Sequence, residues 1–387
     1  MKNIAELVQL EDREEIRRFV ESKRVDFVVI GPEAILAADI AGYLRMTVGV
    51  PVFGPDARQA RIETSKIYAK ELMKKARIPT APFVVYEPDS PPFTPDFAPH
   101  IPPPWVVKAD GLASGKGVEI YETVEEVNAA IRRMRRRFGD SARTILIERF
   151  FEGQEVSFHL FSDGTGLYLP FPASCDYKKL GRVNTGGMGA IAPTTALVAK
   201  DLLGMTSKIF TPLFDVLRDD TGEGFPGCMY PGMMLTKSGP VVIEVNARPG
   251  DPEMPVYMRL YKSDLEELLY ACATGRLKEI RSPEWHPGYA VSVVLATQGY
   301  PKHPPKRAER ITGIQDAESV DGVVAFHAGT KYEDGHYYAT GGRALNITAV
   351  ADTFPESIER AYEAVKHIQL KGMQYRTNIG HDLIGKI

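Results

Sequence analysis

Cysteine and histidine are scarce in this sequence. The 387 residues include 3 cysteines and 8 histidines. The thiols of Cys175, Cys228 and Cys272 are too few and too scattered for a disulfide scaffold or a zinc site. We therefore expect reduced cysteines, as is usual in the cytoplasm.

Long apolar runs and a strong net charge are also absent. No stretch approaches the roughly 18 apolar residues that a membrane helix needs, and acidic residues stand where a signal peptide would have its apolar segment. The formal net charge of −3 provides no basic field for nucleic acid or anionic lipid. The arginine run within 132–137 is interpreted as the solvated face of one helix. We expect a cytoplasmic protein with no nucleic-acid partner and no membrane partner.

The composition itself is that of an ordinary globular protein, with 44% hydrophobic and 25% charged residues. The length suggests two or three domains. Near the N-terminus, segments 25–33, 34–47 and 50–55 have the patterns of a strand, one helix and a strand. This order predicts a βαβ unit and hence a parallel sheet. A further helix is expected over 61–75.

A glycine-rich loop at 110–117 lies between two predicted strands. Its small residues allow backbone amides to approach a ligand closely, and such N–H groups suit phosphate oxygens. Lys108 precedes the loop and Lys116 adds a positive charge near its tip. The loop is not a Walker A motif, because neither serine nor threonine follows the lysine and a strand rather than a helix comes next. A flap over a nucleotide and a plain hairpin turn both remain possible.

Oxygen-bearing side chains occur at two further strand positions. The strand end from Glu148 to Phe151 could hold adenine through backbone groups, with Glu155 on the ribose hydroxyls, although such strand ends are common. Glu244 and Asn246 are two residues apart on a predicted strand, so their side chains share one face. Mg²⁺ prefers hard oxygen ligands and takes one or two carboxylates plus substrate phosphates. The alternative is that Glu244 faces solvent and Asn246 only opens a turn.

Several motifs, taken together and in order, resemble one family. They read VVKADGLASGKGV, ERFFEGQEVSF, NTGGMGA, GPVVIEVNARPGDPE, FHAGTK and ATGGRAL. This set closely resembles the phosphoribosylamine–glycine ligases (glycinamide ribonucleotide synthetases) of purine biosynthesis, which are members of the ATP-grasp superfamily. The resemblance extends from Val25 to the C-terminus.

The resemblance implies where each ligand binds. Positions that match the family's nucleotide contacts are Lys66, Lys108, Gly111, Ser114, Gly115, Lys116, Gly117, Glu148, Phe151 and Glu155. Positions that match its magnesium (or manganese) ligands are Glu244 and Asn246. Positions around the glycine and acceptor pockets are Asp176, Asn184, Thr185, Gly186, Gly187, Met188, Arg248, Gly250 and Asp251. Within these sets, Lys116 and Arg248 are assigned to catalysis.

The implied fold is α/β (α+β). It is an ATP-grasp fold with a partial N-terminal parallel α/β domain and a small, β-rich C-terminal domain. The expected divisions are residues 1–56 for the N-terminal domain, 57–285 for the ATP-grasp domain and 286–387 for the C-terminal domain. A flap subdomain is expected at about 105–160.

The implied activity is ATP-dependent ligation of glycine to 5-phosphoribosylamine. Glycyl phosphate is the intermediate, and glycinamide ribonucleotide, ADP and phosphate are the products. ATP would be a co-substrate, Mg²⁺ or Mn²⁺ the cofactor, and the protein a monomer or homodimer. One alternative is a related ligase with a different amine acceptor. Another is a nucleotide-binding protein without catalysis, which the joint retention of Lys66, Lys108 and Glu244 disfavours.

Some positions depart from the family pattern. Tyr177 stands where histidine is usual, Pro249 where phenylalanine is usual, and the loop between Lys179 and Asn184 is shorter. The family's Gly-Gly-Arg-Glu-His stretch is missing, which implies that the chain begins after the first strand and helix of the N-terminal domain. We therefore expect weak binding of phosphoribosylamine unless an upstream segment, a partner chain or a rearrangement of residues 1–24 fills that place.

Overall fold

The computed structural model describes residue 6 and residues 8–113, 115–181, 183–194, 204–303, 305 and 307–384. Its α-helices, numbered α1 to α11 in chain order, are Arg13–Lys23, Glu33–Ala37, Ile40–Thr47, Ala57–Thr64, Lys66–Lys75, Val124–Phe138, Thr211–Thr221, Glu253–Leu260, Leu265–Thr274, Ile314–Glu318 and Phe354–His367. Shorter helical turns are Pro95–Phe97, Gly139–Ala142, Thr206–Phe210, Leu277–Glu279 and His381–Leu383. In the described part of the chain, no helix combines the length and apolar character needed to cross a membrane.

The first part of the chain packs helices around two short strands. Strands β1 (Val28–Val29) and β2 (Val52–Phe53) pair in parallel, as the βαβ pattern predicts. Helices α1, α2 and α3 surround a core that includes Val20, Leu44 and Val52.

The single helix predicted over 34–47 is wrong, because the structure has two helices, α2 and α3. The break lies at Asp39, whose backbone is left-handed with φ of 59°. Aspartate is one of the few residues that visit this region readily. Its carboxylate accepts the N–H of Ala57 at 3.0 Å, so the break also connects α3 to the start of α4.

The single helix predicted over 61–75 is also divided, into α4 and α5. Ser65 separates them in an extended conformation. Its hydroxyl accepts the N–H of Tyr68 at 3.1 Å, which is the usual arrangement of an N-cap serine. The same hydroxyl donates to the carboxylate of Asp110 at 3.0 Å, so a residue of the glycine-rich loop fixes the start of α5.

Two antiparallel sheets form the middle of the molecule. The first has the order β3-β6-β4-β5, with strands Phe83–Tyr86, Ile145–Arg149, Trp105–Ala109 and Val118–Tyr121. Helix α6 packs on it through buried side chains such as Val127 and Ile131. The second has the order β15-β14-β8-β9, with β7 also paired to β14; these strands are Gly239–Asn246, Pro226–Thr236, Leu160–Asp163, Tyr168–Pro170 and, for β7, Gln154–Ser157.

The remaining strands lie mainly in the C-terminal part. A five-stranded antiparallel sheet has the order β10-β13-β16-β21-β18, with strands Cys175–Asp176, Gly189–Ala192, Tyr289–Ala296, Arg343–Ala351 and Val323–His327. A smaller sheet has the order β19-β20-β17-β22, with strands Thr330–Glu333, His336–Ala339, Glu309–Thr312 and Gln369–Leu370. Strands β11 (Lys179–Leu180) and β12 (Val183–Asn184) form a separate pair. The five-stranded sheet thus joins residues before 200 to the C-terminal strands.

Candidate active site

A cleft of about 1320 Å³ opens between the two middle sheets. Lys108 and Val118 line it from the first sheet, Met234 and Glu244 from the second, and Glu33 from the N-terminal part. Most residues predicted to bind nucleotide, metal or substrate lie along these walls.

Two buried lysines share one carboxylate in this cleft. The Nζ of Lys108 is 3.1 Å from one oxygen of Glu148, and the Nζ of Lys70 is 3.2 Å from the other. Lys70 also donates to the hydroxyl of Thr80 at 2.6 Å, and burial lowers its pKa to about 8. The Glu148 side chain therefore positions Lys108, a function separate from the backbone contact predicted for this strand end.

Lys66 brings a third ammonium group to the same wall. It stands at the start of α5 and donates to the carbonyl groups of Asp110 and Gly111 at 3.3 and 3.1 Å. Burial, together with the charge of Lys108, lowers the pKa of Lys66. Gly111 does not line the cleft. Its N–H donates to the carbonyl of Ser141 at 2.8 Å and is therefore not available to a ligand. A ligand rich in phosphate would meet Lys66 and Lys108 together.

The glycine-rich loop approaches the cleft through Gly115, Lys116 and Gly117, which all line it. Ser114, also predicted to bind ATP, lies outside the described residues. Gly115 has a left-handed φ of 71°, and a Cβ there would lie 2.9 Å from the carbonyl oxygen of Thr185. The loop therefore contacts the segment predicted to bind substrate, and glycine is required at this contact.

Phe151 lines the cleft where the chain passes from β6 to β7. The guanidinium of Arg149 lies 5.2 Å from the centre of its ring. At Gly153 a Cβ would be 2.3 Å from the carbonyl oxygen of Leu235, so this connection packs tightly against the second sheet. The contact of Phe151 with adenine stays a prediction.

Lys178 lies between two of the predicted ligand-binding carboxylates. Its ammonium donates to Glu155 and, at 2.7 Å, to Glu244. The positive charge of Lys178 lowers the pKa of Glu244 to about 2. Burial opposes the charge of Lys178, but the two glutamates raise its pKa well above the usual value. Glu244 and Lys178 are therefore both ionised at neutral pH.

Glu244 and Asn246 provide a donor set suited to a hard divalent cation. They are two residues apart on β15, and both line the cleft. A carboxylate and an amide oxygen suit Mg²⁺ or Mn²⁺, and the ammonium beside Glu244 shows that a cation is favoured there. The described residues contain no group of three or more His, Cys, Asp or Glu side chains placed to bind a metal ion. Substrate phosphates would thus have to complete the coordination.

Arg248 is held by two glutamates where the N-terminal part meets the end of β15. Its Nε lies 3.1 Å from both Glu33 and Glu63. Glu63 also accepts the N–H of Ala247 at 2.7 Å, and burial raises its pKa. Burial opposes the charge of Arg248, but the acidic neighbours and Tyr230 raise its pKa overall. The guanidinium is a fixed positive charge at the edge of the cleft.

Two carboxyl groups are buried together beside the predicted substrate residues. Burial raises the pKa of Asp176 and of Glu253. The charge of Glu253 raises the pKa of Asp176 further, and the charge of Asp251 does the same to Glu253. The Oδ1 of Asp176 has no hydrogen-bond partner among the described residues. A Cβ at Gly187 would lie 3.2 Å from that oxygen, and one at Gly250 would lie 2.7 Å from Glu253. Both glycines therefore adjoin this carboxyl pair.

The predicted substrate segment is fixed by hydrogen bonds to backbone carbonyl groups of neighbouring segments. Thr185 donates from its N–H and its hydroxyl to the carbonyl of Lys178, both at 2.8 Å. Asn184 donates to the carbonyl of Val118 at 3.0 Å, which connects the segment to the first sheet. Met188 is fully buried in a small apolar cluster and does not line the cleft.

Arg343 joins two of these segments from the C-terminal part. It donates to the carbonyl of Gly186 at 2.7 Å and to the carbonyl of Asp251 at 2.8 Å. It also forms an ion pair with the Asp251 carboxylate at 3.0 Å. The strand β21 thereby positions both predicted substrate residues.

The buried ring of His159 supports the turn that follows Arg248. Its Nε2 accepts the N–H of Gly250 at 3.2 Å, and its Nδ1 lies 3.3 Å from the hydroxyl of Tyr257. The ring stacks on Tyr230 with centroids 4.2 Å apart. Full burial lowers its pKa to about 3, so the ring is neutral with its proton on Nδ1.

The structure thus gathers most of the predicted residues in one cleft. Gly111, Gly187 and Met188 do not line it. Residues that sequence reasoning missed are Glu33, Glu63, Lys70, His159, Lys178, Glu253 and Arg343. Two of them had a local signal, because Lys178 follows Asp176 by two residues and Arg343 lies within the ATGGRAL motif.

Family models match most of the chain. The model of the phosphoribosylglycinamide synthetase N domain matches residues 1–63, that of the ATP-grasp (A) domain residues 64–254, and that of the C domain residues 290–382. The three domains of one enzyme family therefore occur here in order.

Named relatives are similar over nearly the whole chain. A phosphoribosylamine–glycine ligase of Brucella melitensis is 38% identical over 384 residues, which cover 97% of this chain and 88% of that protein. The human trifunctional purine biosynthetic protein adenosine-3 is also 38% identical, over 96% of this chain and 37% of that longer protein.

Solved structures show the same architecture. The phosphoribosylamine–glycine ligase of Thermotoga maritima superposes with a TM-score of 0.77 at 30% identity, covering 98% of this chain and 91% of that one. The biotin carboxylase domain of Hydrogenobacter thermophilus 2-oxoglutarate carboxylase, solved with MgADP and bicarbonate, gives a TM-score of 0.71 at 16% identity, covering 96% of this chain and 84% of that one. The second likeness concerns the fold alone, and the two together confirm the predicted mixed α/β ATP-grasp fold. The chain belongs to the phosphoribosylamine–glycine ligase family.

Proposed function

We propose that this chain joins glycine to 5-phosphoribosylamine with cleavage of ATP, forming glycinamide ribonucleotide, ADP and phosphate. The observation that carries the proposal is the family match over nearly the full length, combined with one cleft that gathers the family's residues. The activity belongs to purine biosynthesis, as in the named relatives.

In the proposed reaction, the carboxylate of glycine takes the γ-phosphoryl group of ATP, which gives glycyl phosphate and ADP. The amine of phosphoribosylamine then attacks the acyl carbon, and phosphate leaves as the amide forms and the amine loses a proton. Phosphoryl transfer requires little covalent work from a protein, so positioning and charge stabilisation supply the catalysis. We assign the phosphates to Lys66, Lys108 and the loop with Lys116, and the ribose to Glu155.

We assign the amino-acid and acceptor side of the cleft to the residues around Arg248. Its fixed charge suits the carboxylate of glycine or a developing oxyanion, because Glu33 and Glu63 hold it in place. The Oδ1 of Asp176, which has no hydrogen-bond partner among the described residues, could accept a hydrogen bond from an ammonium group. The residues that would surround the substrates are Asn184, Thr185, Gly186, Gly250 and Asp251.

The donor set of Glu244 and Asn246 would hold Mg²⁺ or Mn²⁺. When bound, the metal would neutralise charge on the phosphate oxygens. Glu244 is suited to this binding, since it remains ionised far below neutral pH.

We also propose the division into domains at 1–56, 57–285 and 286–387, with a flap at about 105–160. Separate hydrophobic cores support a first part and a flap. The first core lies mainly within 1–56 and also includes Ala60, and the flap core extends back to Tyr86. Strands β10 and β13 belong to the proposed ATP-grasp domain by sequence but pair into the C-terminal sheet. Backbone hydrogen bonds therefore connect the two domains across the last boundary.

The test is phosphate release from ATP and Mg²⁺ with glycine, with and without freshly made phosphoribosylamine. We expect release, and a product with the mass of glycinamide ribonucleotide, only when both substrates are present. Release with glycine and another amine would identify a different acceptor. No release under any condition would contradict a ligase.

A further inference from the structure

The ammonium of Lys178 stands beside the carboxylate that we assign to the metal. It is 2.7 Å from Glu244 and also donates to Glu155, the group assigned to the ribose. About a quarter of the Lys178 side chain is exposed, at 27%, so the ammonium can leave without disturbing the core. One lysine therefore pairs with the proposed metal ligand and the proposed nucleotide ligand together.

We infer that Lys178 is a resident cation of the metal site, which stays beside Glu244 in the free protein and is displaced when a divalent cation and nucleotide bind. This inference rests on the proposed function, since it takes Glu244 as the metal ligand and Glu155 as a nucleotide contact. It makes Lys178 a positioning residue that couples metal binding to nucleotide binding.

The argument begins with charge. An ammonium and a divalent cation on the same carboxylate repel each other strongly at a partly buried site. Lys66 and Lys108 line the same cleft as Glu244, and Lys108 donates at 2.8 Å to the carbonyl of Ile243, the residue before it. Three positive groups therefore surround this carboxylate before any metal arrives. The free protein should thus bind metal weakly. Nucleotide phosphates reverse this balance, because they add negative charge near all three lysines.

The backbone allows this exchange without a rearrangement of the chain. The carbonyl of Lys178 accepts the N–H and the hydroxyl of Thr185, both at 2.8 Å, so its main chain is fixed. Only the side chain of Lys178 has to change its rotamer. The buried Oδ1 of Asp176, which has no hydrogen-bond partner among the described residues, offers a second acceptor within the same cleft. Asp176 already interacts electrostatically with Lys178.

The experiment measures Mn²⁺ binding by electron paramagnetic resonance, with and without a non-hydrolysable ATP analogue. Lys178→Met removes the charge and keeps most of the chain length, whereas Lys178→Arg keeps the charge. We expect Lys178→Met to bind Mn²⁺ without nucleotide about tenfold or more tightly than the wild type, since one competing unit charge is removed. Lys178→Arg should stay within about threefold of the wild type.

The nucleotide gives a second readout. The factor by which the analogue strengthens Mn²⁺ binding should be smaller in Lys178→Met than in the wild type. By linkage, the factor by which Mn²⁺ strengthens analogue binding should fall equally. In a Lys178→Met background, Glu244→Gln should abolish the gain in Mn²⁺ affinity, which places the gain at Glu244.

An unchanged or weaker Mn²⁺ affinity in Lys178→Met would overturn the inference, as would an equal gain in Lys178→Arg. Circular dichroism and thermal melting establish that each variant folds, and Lys178→Gln replaces the methionine variant if that one does not. Mn²⁺ binding uses neither glycine nor phosphoribosylamine. Its failure is therefore separate from a failure of the wild-type ligation assay.

Discussion

Glu244 is the residue at which the charges of the cleft converge. Lys178 pairs with it directly, and Lys66 and Lys108 act on it from the nucleotide side. These positive charges lower the pKa of Glu244 to about 2, so its carboxylate is ionised at neutral pH. The carboxylate is held ready for a cation, and its neutralisation should affect chemistry more than folding.

We predict that Glu244→Gln lowers the kcat/KM of ligation about a hundredfold or more at limiting Mg²⁺, while the melting temperature changes little. The amide keeps the shape of the side chain but removes the only carboxylate of the proposed pair. Loss of a group that only orients a metal ligand typically costs about 10–100-fold, and loss of a charged ligand should cost more. Steady-state kinetics over a Mg²⁺ titration measure this. Glu333→Gln is the control, because Glu333 forms a similar 2.7 Å pair with Lys331 outside the cleft. Turnover near that of the wild type at limiting Mg²⁺ would rule out Glu244 as a metal ligand.

His159 supplies a second prediction for a single residue, concerning pH and stability. Its pKa is about 3 in the folded protein, against about 6.5 when unfolded. Below pH 6.5 the unfolded chain therefore binds a proton that the folded protein does not, so stability falls as the pH falls. From pH 7 to pH 5 this one residue should cost about 2 kcal/mol of unfolding free energy.

Urea unfolding of the wild type and of His159→Gln at pH 7 and pH 5 measures this effect. The wild type should lose about 2 kcal/mol more than the variant over this interval, because glutamine does not titrate. His303→Gln, at an exposed histidine, is the control and should follow the wild type. Equal losses in wild type and His159→Gln would mean that the buried ring is not held neutral.

At the scale of elements, the glycine-rich loop and the substrate segment depend on close contact. A Cβ at Gly115 would lie 2.9 Å from the carbonyl of Thr185 and 3.1 Å from the backbone of Gly186. We predict that Gly115→Ala raises the KM for ATP several-fold, because the loop can no longer close against this segment.

The control for that variant is Gly139→Ala. Gly139 also has a positive φ, of 54°, but a Cβ there meets no atom within 4 Å. Both alanines therefore carry the strain of a positive φ, and only the one at position 115 has the collision. Equal ATP kinetics in the two variants would show that the contact with Thr185 does not matter.

Elements that local patterns specify could be predicted from the sequence, including the strands on either side of the glycine-rich loop and the charged helix α6. The division at Ser65 could not, because its hydroxyl is fixed by Asp110, 45 residues away. The same distinction holds for the site. Glu244 and Asn246 share a face by strand periodicity, whereas the pairing of Lys178 with Glu244 joins residues 66 positions apart, which no local pattern predicts.

At the scale of the whole molecule, charged side chains connect the cleft to both ends of the chain. Arg248 reaches Glu33 in the N-terminal part, and Arg343 reaches Gly186 and Asp251 from the C-terminal sheet. The N-terminal part and the C-terminal sheet therefore meet at the end of the cleft that we assign to glycine and phosphoribosylamine. Changes in either terminal part should alter substrate binding more than ATP binding.

Arg343→Ala tests this arrangement. The guanidinium donates to two carbonyl groups and pairs with the Asp251 carboxylate, so its loss frees both substrate segments at once. Hydrogen bonds to charged groups contribute about 1.5–3 kcal/mol, which corresponds to roughly ten- to a hundredfold. We predict a fall of that size in kcat/KM for glycine or phosphoribosylamine, with a KM for ATP within about threefold of the wild type. The matched control is Arg360→Ala, since Arg360 makes comparable bonds to carbonyl groups and Glu356 but does not line the cleft. If Arg343→Ala and Arg360→Ala gave the same substrate kinetics, the C-terminal sheet would have no part in positioning the substrates.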